Sequence, residues 1–179
     1  MSKYHAANPY SVTIDDTKYE IQYDPGDSTS NLFGGNSNWR GPVWIPINYL
    51  IIRSVKKYGE FYGDHLKVEC PVGSGKMLNL VEVSKVLTDR IVSLLALNEA
   101  GERRLYGDDN WFYKKPGNEN LVLFYEYFHG DSGRGLGASH QTGWTSLVAD
   151  LIGGCEVKKE EWKEGTGHEV FIDDDEDDG

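Results

Sequence analysis

Val43-Trp44-Ile45-Pro46-Ile47-Asn48-Tyr49-Leu50-Ile51-Ile52 opens the run that decides the fold. From here to Tyr62, apolar residues recur with helical spacing at Trp44, Ile47, Ile51, Val55, Tyr58 and Tyr62. Pro42 stands where a helix can begin, and Pro46 falls in the first turn, where a missing N–H costs little. Leu50 and Ile52 widen the stripe, so a helix over residues 43–62 is expected to be buried on more than one side. Gly63-Asp64 ends it.

A second helix is read from Asn79 to Leu97. Asn79 followed by Glu82 has the spacing of a capping box. Val83, Val86, Leu87, Ile91, Leu94 and Leu95 make its apolar face. A third helix runs from about Thr142 to Ile152 with Trp144, Leu147, Val148 and Leu151 as its stripe, and Gly153-Gly154 stop it. Upstream, Val12 and Ile14, then Tyr19, Ile21 and Tyr23, alternate with polar residues across Asp15-Asp16. This is the pattern of a β-hairpin over residues 10–23. Residues 24–41 read as a loop, 66–78 as irregular or short-stranded, and 98–120 as a long surface excursion. The fold class is therefore mainly α with a small N-terminal hairpin. Long connections without structure of their own are normally functional.

Composition narrows the function. The chain has 179 residues, 39% hydrophobic and 12% aromatic, with eleven Tyr and five Trp. Its net charge of -11 is concentrated after residue 155, where eleven acids meet three lysines. Residues 154–179 form an acidic tail expected to be disordered. The body carries no basic stripe to neutralise phosphates, so nucleic acid is not an expected partner. The longest apolar stretch, around Ile91 to Leu97, is far short of a membrane span. The N-terminus lacks the apolar core of a signal peptide, and a cytoplasmic location is the expectation. Cys70 and Cys155 form neither a disulfide framework nor a thiolate metal site.

Three segments carry candidate chemistry. In Leu121-Val122-Leu123-Phe124-Tyr125-Glu126-Tyr127-Phe128, an extended backbone puts Glu126 on one face with Val122, Phe124 and Phe128. A carboxylate among aromatics is partly desolvated, which tunes its proton affinity for general acid–base work. An edge strand with a paired or exposed Glu126 fits the residues equally well. In Asn38-Trp39-Arg40-Gly41-Pro42-Val43-Trp44, indole faces suit the C–H faces of sugars and a guanidinium gives directed donors to hydroxyls. The helical stripe favours a core role for Trp44 and leaves Trp39 and Arg40 open between cleft and loop. In Gly133-Arg134-Gly135-Leu136-Gly137-Ala138-Ser139-His140-Gln141-Thr142-Gly143-Trp144, the glycines suit close backbone approach to a cleft better than a dinucleotide loop, because no βαβ unit surrounds them. His129, His140 and Asp131 have no recognised metal-site spacing, and neither a metal nor another cofactor is expected. Gly73-Ser74-Gly75-Lys76 lacks the frame of a P-loop and reads as a turn.

These segments, in this order, resemble the C-terminal part of glycoside hydrolase family 63, which includes processing α-glucosidases and mannosylglycerate hydrolases. The resemblance extends over residues 9–152. It implies a partial (α/α)6 toroid over residues 1–153 and an inverting cleavage of α-glucosyl or α-mannosyl bonds in oligosaccharides or small glycosides. It implies that Glu126 is the general base and that Trp39, Arg40, Trp44, His140 and Trp144 line the cleft. The family's acid Asp matches nothing in this chain, and Asp24 and Asp27 have no warrant for that role. The expectation is a truncated reading frame, one half of a split gene or a cloned fragment. Such a piece would be inactive alone and partnered by a separately encoded N-terminal half. Two alternatives are a non-catalytic carbohydrate-binding module and a degenerate remnant that exposes apolar helix faces.

Overall fold

A computed structural model describes residues 3–29, 39–108, 110–118 and 120–153. The glycine-rich run 34–38, Cys155 and the acidic tail lie outside the described residues. The chain is helical with three small antiparallel hairpins.

β1 (Tyr10–Ile14) and β2 (Thr17–Ile21) pair from Tyr10↔Ile21 to Ile14↔Thr17. Asp15 and Asp16 turn between them with φ of 48° and 62°. Positive φ at both central residues matches the strand twist, and Asp is among the few residues that tolerate it. In this register Tyr10, Val12, Ile14, Tyr19 and Ile21 share one face.

α1 (Ile45–Tyr62) starts with Pro46 in its first turn and stops at Gly63. β3 (Lys67–Glu69) and β4 (Met77–Asn79) form the second hairpin and lead into α2 (Leu80–Leu95). The capping box is present: the Asn79 side chain accepts from the Glu82 N–H at 2.9 Å, and the Glu82 carboxylate accepts from the Asn79 N–H at 2.8 Å. α2 ends at Leu95, two residues before the expected Leu97. α1 and α2 are the principal helix pair. A Cβ on Gly59 would lie 2.5 Å from the Val81 nitrogen, so the helices meet closely only because that side chain is missing.

The last helix is two pieces, α3 (Thr142–Thr145) and α4 (Leu147–Gly153), rather than the single helix expected. The Ser146 hydroxyl donates back to the Thr142 carbonyl at the break. α4 packs on α1 and α2. The core between them holds Ile45, Ile52, Ile91, Leu94, Leu95, Leu105, Phe128, Val148 and Leu151. Leu105 sits in a 3-10 turn, Arg104–Tyr106, so residues 98–120 are not a purely superficial excursion. Of the apolar run ending at Phe128, only β5 (Tyr127–Phe128) pairs as strand, with β6 (Gly135–Leu136).

The predicted stripe of α1 is not its buried face. Ile45, Ile52 and Gly59, seven residues apart, face the core. Ile47, Leu50, Ile51, Tyr58, Phe61 and Tyr62 are exposed, Phe61 by 81%. The helix is apolar on more than one side, and α2 and α4 cover only one of them. α2 is rotated similarly: Ser84 and Thr88 join Ile91 and Leu95 inside, while Val83, Val86 and Leu87 are half-buried. The two hydroxyls donate to the Val81 and Ser84 carbonyls, which makes their burial tolerable.

Candidate functional site

The segment 124–128 threads between two others and is laced to both. Phe128 and Val43 exchange backbone bonds of 2.7 and 2.9 Å. On the other edge the Glu126 N–H donates to the Ala138 carbonyl at 2.9 Å, and the Gln141 N–H donates to the Phe124 carbonyl at 2.5 Å. The Trp-Arg loop and the glycine-rich loop, separated by about a hundred residues of chain, are thereby brought to opposite sides of Glu126.

Glu126 is buried, 8% exposed. Its Oε2 accepts the Ala138 N–H at 2.9 Å. Gly137, at φ 70°, permits this: a Cβ there would stand 2.5 Å from Oε2 and 2.6 Å from the Tyr127 ring. The backbone around Glu126 is clamped as well. The Trp144 indole N–H donates to the Glu126 carbonyl at 2.9 Å, and the Thr145 hydroxyl donates to the Tyr125 carbonyl at 2.6 Å. A buried carbonyl must find a donor, and α3 supplies both of these.

Beside the carboxylate stands a stack of rings. Trp39 lies on Trp44 with centroids 4.0 Å apart and planes 7° from parallel. Trp44 lies on Tyr127 at 4.6 Å and 18°, and Trp144 meets Trp44 edge-on at 6.2 Å. Trp44 is 3% exposed and Tyr127 1%, whereas Trp39 is 50% exposed. The stack therefore offers solvent one large indole supported by buried rings. The Tyr127 hydroxyl donates to Asp27. Burial, this hydrogen bond and the charges of Asp27 and Glu126 raise the Tyr127 pKa well above that of an ordinary phenol.

Arg40 pairs with Asp24 at 3.4 Å, and Asp24 is 3% exposed. The Thr29 hydroxyl also donates to Asp24 at 2.8 Å. Gly41 lets the chain pass: its Cβ would fall 1.9 Å from the Asp24 carbonyl oxygen. His140 is exposed, and its Nδ1 accepts the Phe124 N–H at 3.3 Å. The structure thus gathers Trp39, Trp44, Glu126 and Trp144 around one segment, with Arg40 following Trp39 and His140 on the outer edge. The sequence reading gave no role to Tyr127 or Ala138, refused Asp24 and Asp27 as the acid without finding their partners, and read Gly137 only as one of several glycines suited to close backbone approach. Strand alternation placed Tyr127 on the face opposite Glu126, and no spacing signal connects Asp27 to a residue a hundred positions away.

Among the described residues, no group of three or more His, Cys, Asp or Glu could hold a metal ion. The Nδ1 atoms of His129 and His140 accept backbone N–H groups. No described helix is long and apolar enough to cross a membrane.

The glycosyl hydrolase family 63 C-terminal domain matches residues 27–82, which include Trp39, Arg40 and Trp44. The chain is related to glycosyl hydrolase family 63. It is 28% identical over 129 residues to the mannosyl-oligosaccharide glucosidase of Saccharomyces cerevisiae, covering 69% of this chain and 12% of that protein. It is 26% identical over 118 residues to a probable mannosyl-oligosaccharide glucosidase of Schizosaccharomyces pombe, covering 66% of this chain and 11% of that protein. An uncharacterized protein of Saccharomyces cerevisiae is 49% identical over 154 residues, covering 85% of this chain and 14% of that protein. The chain thus spans a small part, 11–14%, of these relatives' lengths.

Proposed function

We propose that residues 1–153 form the general-base side of a glycosidase cleft, part of an (α/α)6 toroid that acts on α-glucosyl or α-mannosyl oligosaccharides with inversion. The observation that carries this reading is Glu126: a buried carboxylate, anchored by one backbone N–H, in the same short segment as a ring stack that ends in an exposed indole. Trp39 is the platform for a sugar face, and Trp44 and Tyr127 support it from beneath. Arg40 is held by Asp24 at the rim, ready to donate to hydroxyls. Trp144 fixes the backbone of the base, and His140 holds the backbone two residues before it, at Phe124.

In an inverting hydrolysis the base draws a proton from water as the water attacks the anomeric carbon. An acid about 6.5–9.5 Å away protonates the leaving oxygen on the other face. The Ala138 N–H holds Oε2 so that the carboxylate keeps one orientation through this step. Asp24 and Asp27 are committed to Arg40 and Tyr127, so this reading assigns the general acid to residues beyond this chain. Catalysis then requires the remainder of the toroid, joined to it or supplied separately. The apolar faces of α1 and of the β1–β2 hairpin, exposed among the described residues, support that requirement.

The test is an α-glycosidase assay on this chain alone, and on this chain mixed with the preceding portion of a full-length relative. Activity only in the mixture, lost in Glu126→Gln, is the expected result. Turnover by the chain alone that disappears in Glu126→Gln would overturn the dependence on a partner. The exposed Trp39 favours one other reading, a carbohydrate-binding module. Oligosaccharide binding that Trp39→Ala abolishes and Glu126→Gln leaves intact, with no activity in any mixture, would replace the first reading with that one.

A further inference from the structure

A cavity of about 420 Å³ opens beside the glycine-rich hairpin. Arg103, Arg104, Arg134, His129, Ser132 and Asn110 supply its basic and polar lining. Two acids also reach it, Glu102 and Asp108, but Glu102 is already taken. Its Oε1 accepts from Lys114 Nζ at 3.0 Å and from Asn110 Nδ2 at 3.4 Å. Among the described residues, Arg104 and Arg134 make no ion pair and no side-chain hydrogen bond. The Arg103 Nη1 donates to the Leu95 carbonyl at the end of α2, while its buried Nε has no partner.

Three guanidinium groups facing one cavity repel each other. Among the described residues, no carboxylate forms an ion pair with them. The backbone makes room for them. Gly107, at φ 60°, lies under Arg134, and a Cβ on it would come within 2.6 Å of Arg134 Cδ. Gly133, at φ 79°, lies over the core instead: a Cβ on it would come within 2.9 Å of Leu94 Cδ2. His129 contributes a donor. Its Nδ1 accepts the N–H groups of Asp131 at 3.3 Å and Ser132 at 3.2 Å, which leaves the proton of the neutral ring on Nε2.

We propose that this cavity binds an oxyanion, a phosphate or carboxylate group carried on a polar molecule of sugar size. Guanidinium forks match both groups with paired hydrogen bonds. The volume falls within the ordinary range of small-molecule sites, about 300–1,000 Å³. The arginines, His129, Ser132 and Asn110 favour a charged or polar ligand over an apolar one. This site stands apart from the Glu126 reading and does not depend on it.

The test is calorimetry and thermal melting of the full chain with inorganic phosphate, glucose 6-phosphate and glucuronate. Glucose and sodium chloride at matched ionic strength are the controls. At least one of the two sugar anions should bind saturably with a Kd below about 1 mM and raise the melting midpoint, and glucose should do neither. The arms separate phosphate from carboxylate. Arg104→Gln with Arg134→Gln should weaken binding by about tenfold or more while the circular dichroism stays unchanged, since both side chains are exposed and unpartnered. Silence from both sugar anions up to about 10 mM would overturn the proposal. So would equal binding by the double variant, which would place the anion elsewhere.

Discussion

Two regions of this chain are equally rich in large apolar side chains and are used in opposite ways. Around Glu126, Trp39, Trp44, Tyr127 and Trp144 pack ring on ring, and three of the four are at least half-buried. Along the outer side of α1, Leu50, Tyr58, Phe61 and Tyr62 face outward beside a shallow groove of about 620 Å³. The first region has its partners in this chain, because strand pairing at Val43–Phe128 and Glu126–Ala138 draws three distant segments together. The second has none among the described residues. Apolarity states that a surface is to be covered, and only the tertiary arrangement states by what.

The largest expected effect tests the packed region. Phe128 is fully buried, contacts the common core and pairs with Val43. Phe128→Ala should lower stability by about 3–5 kcal/mol, read from the denaturant midpoint. A loss below about 1 kcal/mol would show that this region is not the anchor of the fold.

Gly137→Ala comes next. The added methyl meets Glu126 Oε2 and the Tyr127 ring, and the backbone is held at φ 70°. Destabilisation of about 1–3 kcal/mol is expected, along with loss of whatever oligosaccharide affinity the chain shows. A neutral Gly137→Ala would show that the carboxylate is not held against that turn.

Tyr127→Phe removes the bond to Asp27 and should cost about 1 kcal/mol at neutral pH. Its pH dependence has a definite sign. The folded-state pKa of Tyr127 is raised, by burial first and then by Asp27. The unfolded chain therefore releases this proton first. The stabilising contribution is complete below about pH 10 and declines as pH rises towards the folded value. Stability measured across alkaline pH should fall less steeply in Tyr127→Phe than in the parent. Parallel profiles would mean that Tyr127 ionises in the folded state as it does in the unfolded one.

The smallest effect belongs to the exposed region. Phe61→Ser alters a side chain that is 81% exposed. Stability should change by no more than about 0.5 kcal/mol, while light scattering reports less self-association. A large loss of stability would mean that α1's outer face is covered within this chain after all.

Local signals were the easiest to read. Asp15-Asp16 marked the hairpin and Asn79 with Glu82 the start of α2, each because its signal acts within four residues; Pro42 pointed to the start of α1, which lies at Ile45 with Pro46 in its first turn. The face each helix buries was harder. α1 is apolar nearly all round, so periodicity could not select Ile45, Ile52 and Gly59 over the stripe through Ile47, Ile51 and Tyr58. The break at Ser146 and the shortness of β5 likewise depend on what packs against them.

The sequence by itself singled out the candidate segments: a Trp-Arg loop before α1, a carboxylate in an aromatic run, and a glycine-rich loop before α3. It singled them out because residue type and short spacing are local properties. Only the tertiary structure decided that the Ala138 N–H meets Glu126, that Asp27 meets Tyr127 and that Asp24 meets Arg40. The tertiary structure also gathered three arginines around one cavity, with no ion pair to any of them among the described residues. Hydrogen bonds and charge pairs between distant residues are set by how elements dock, and docking depends on which apolar faces find each other.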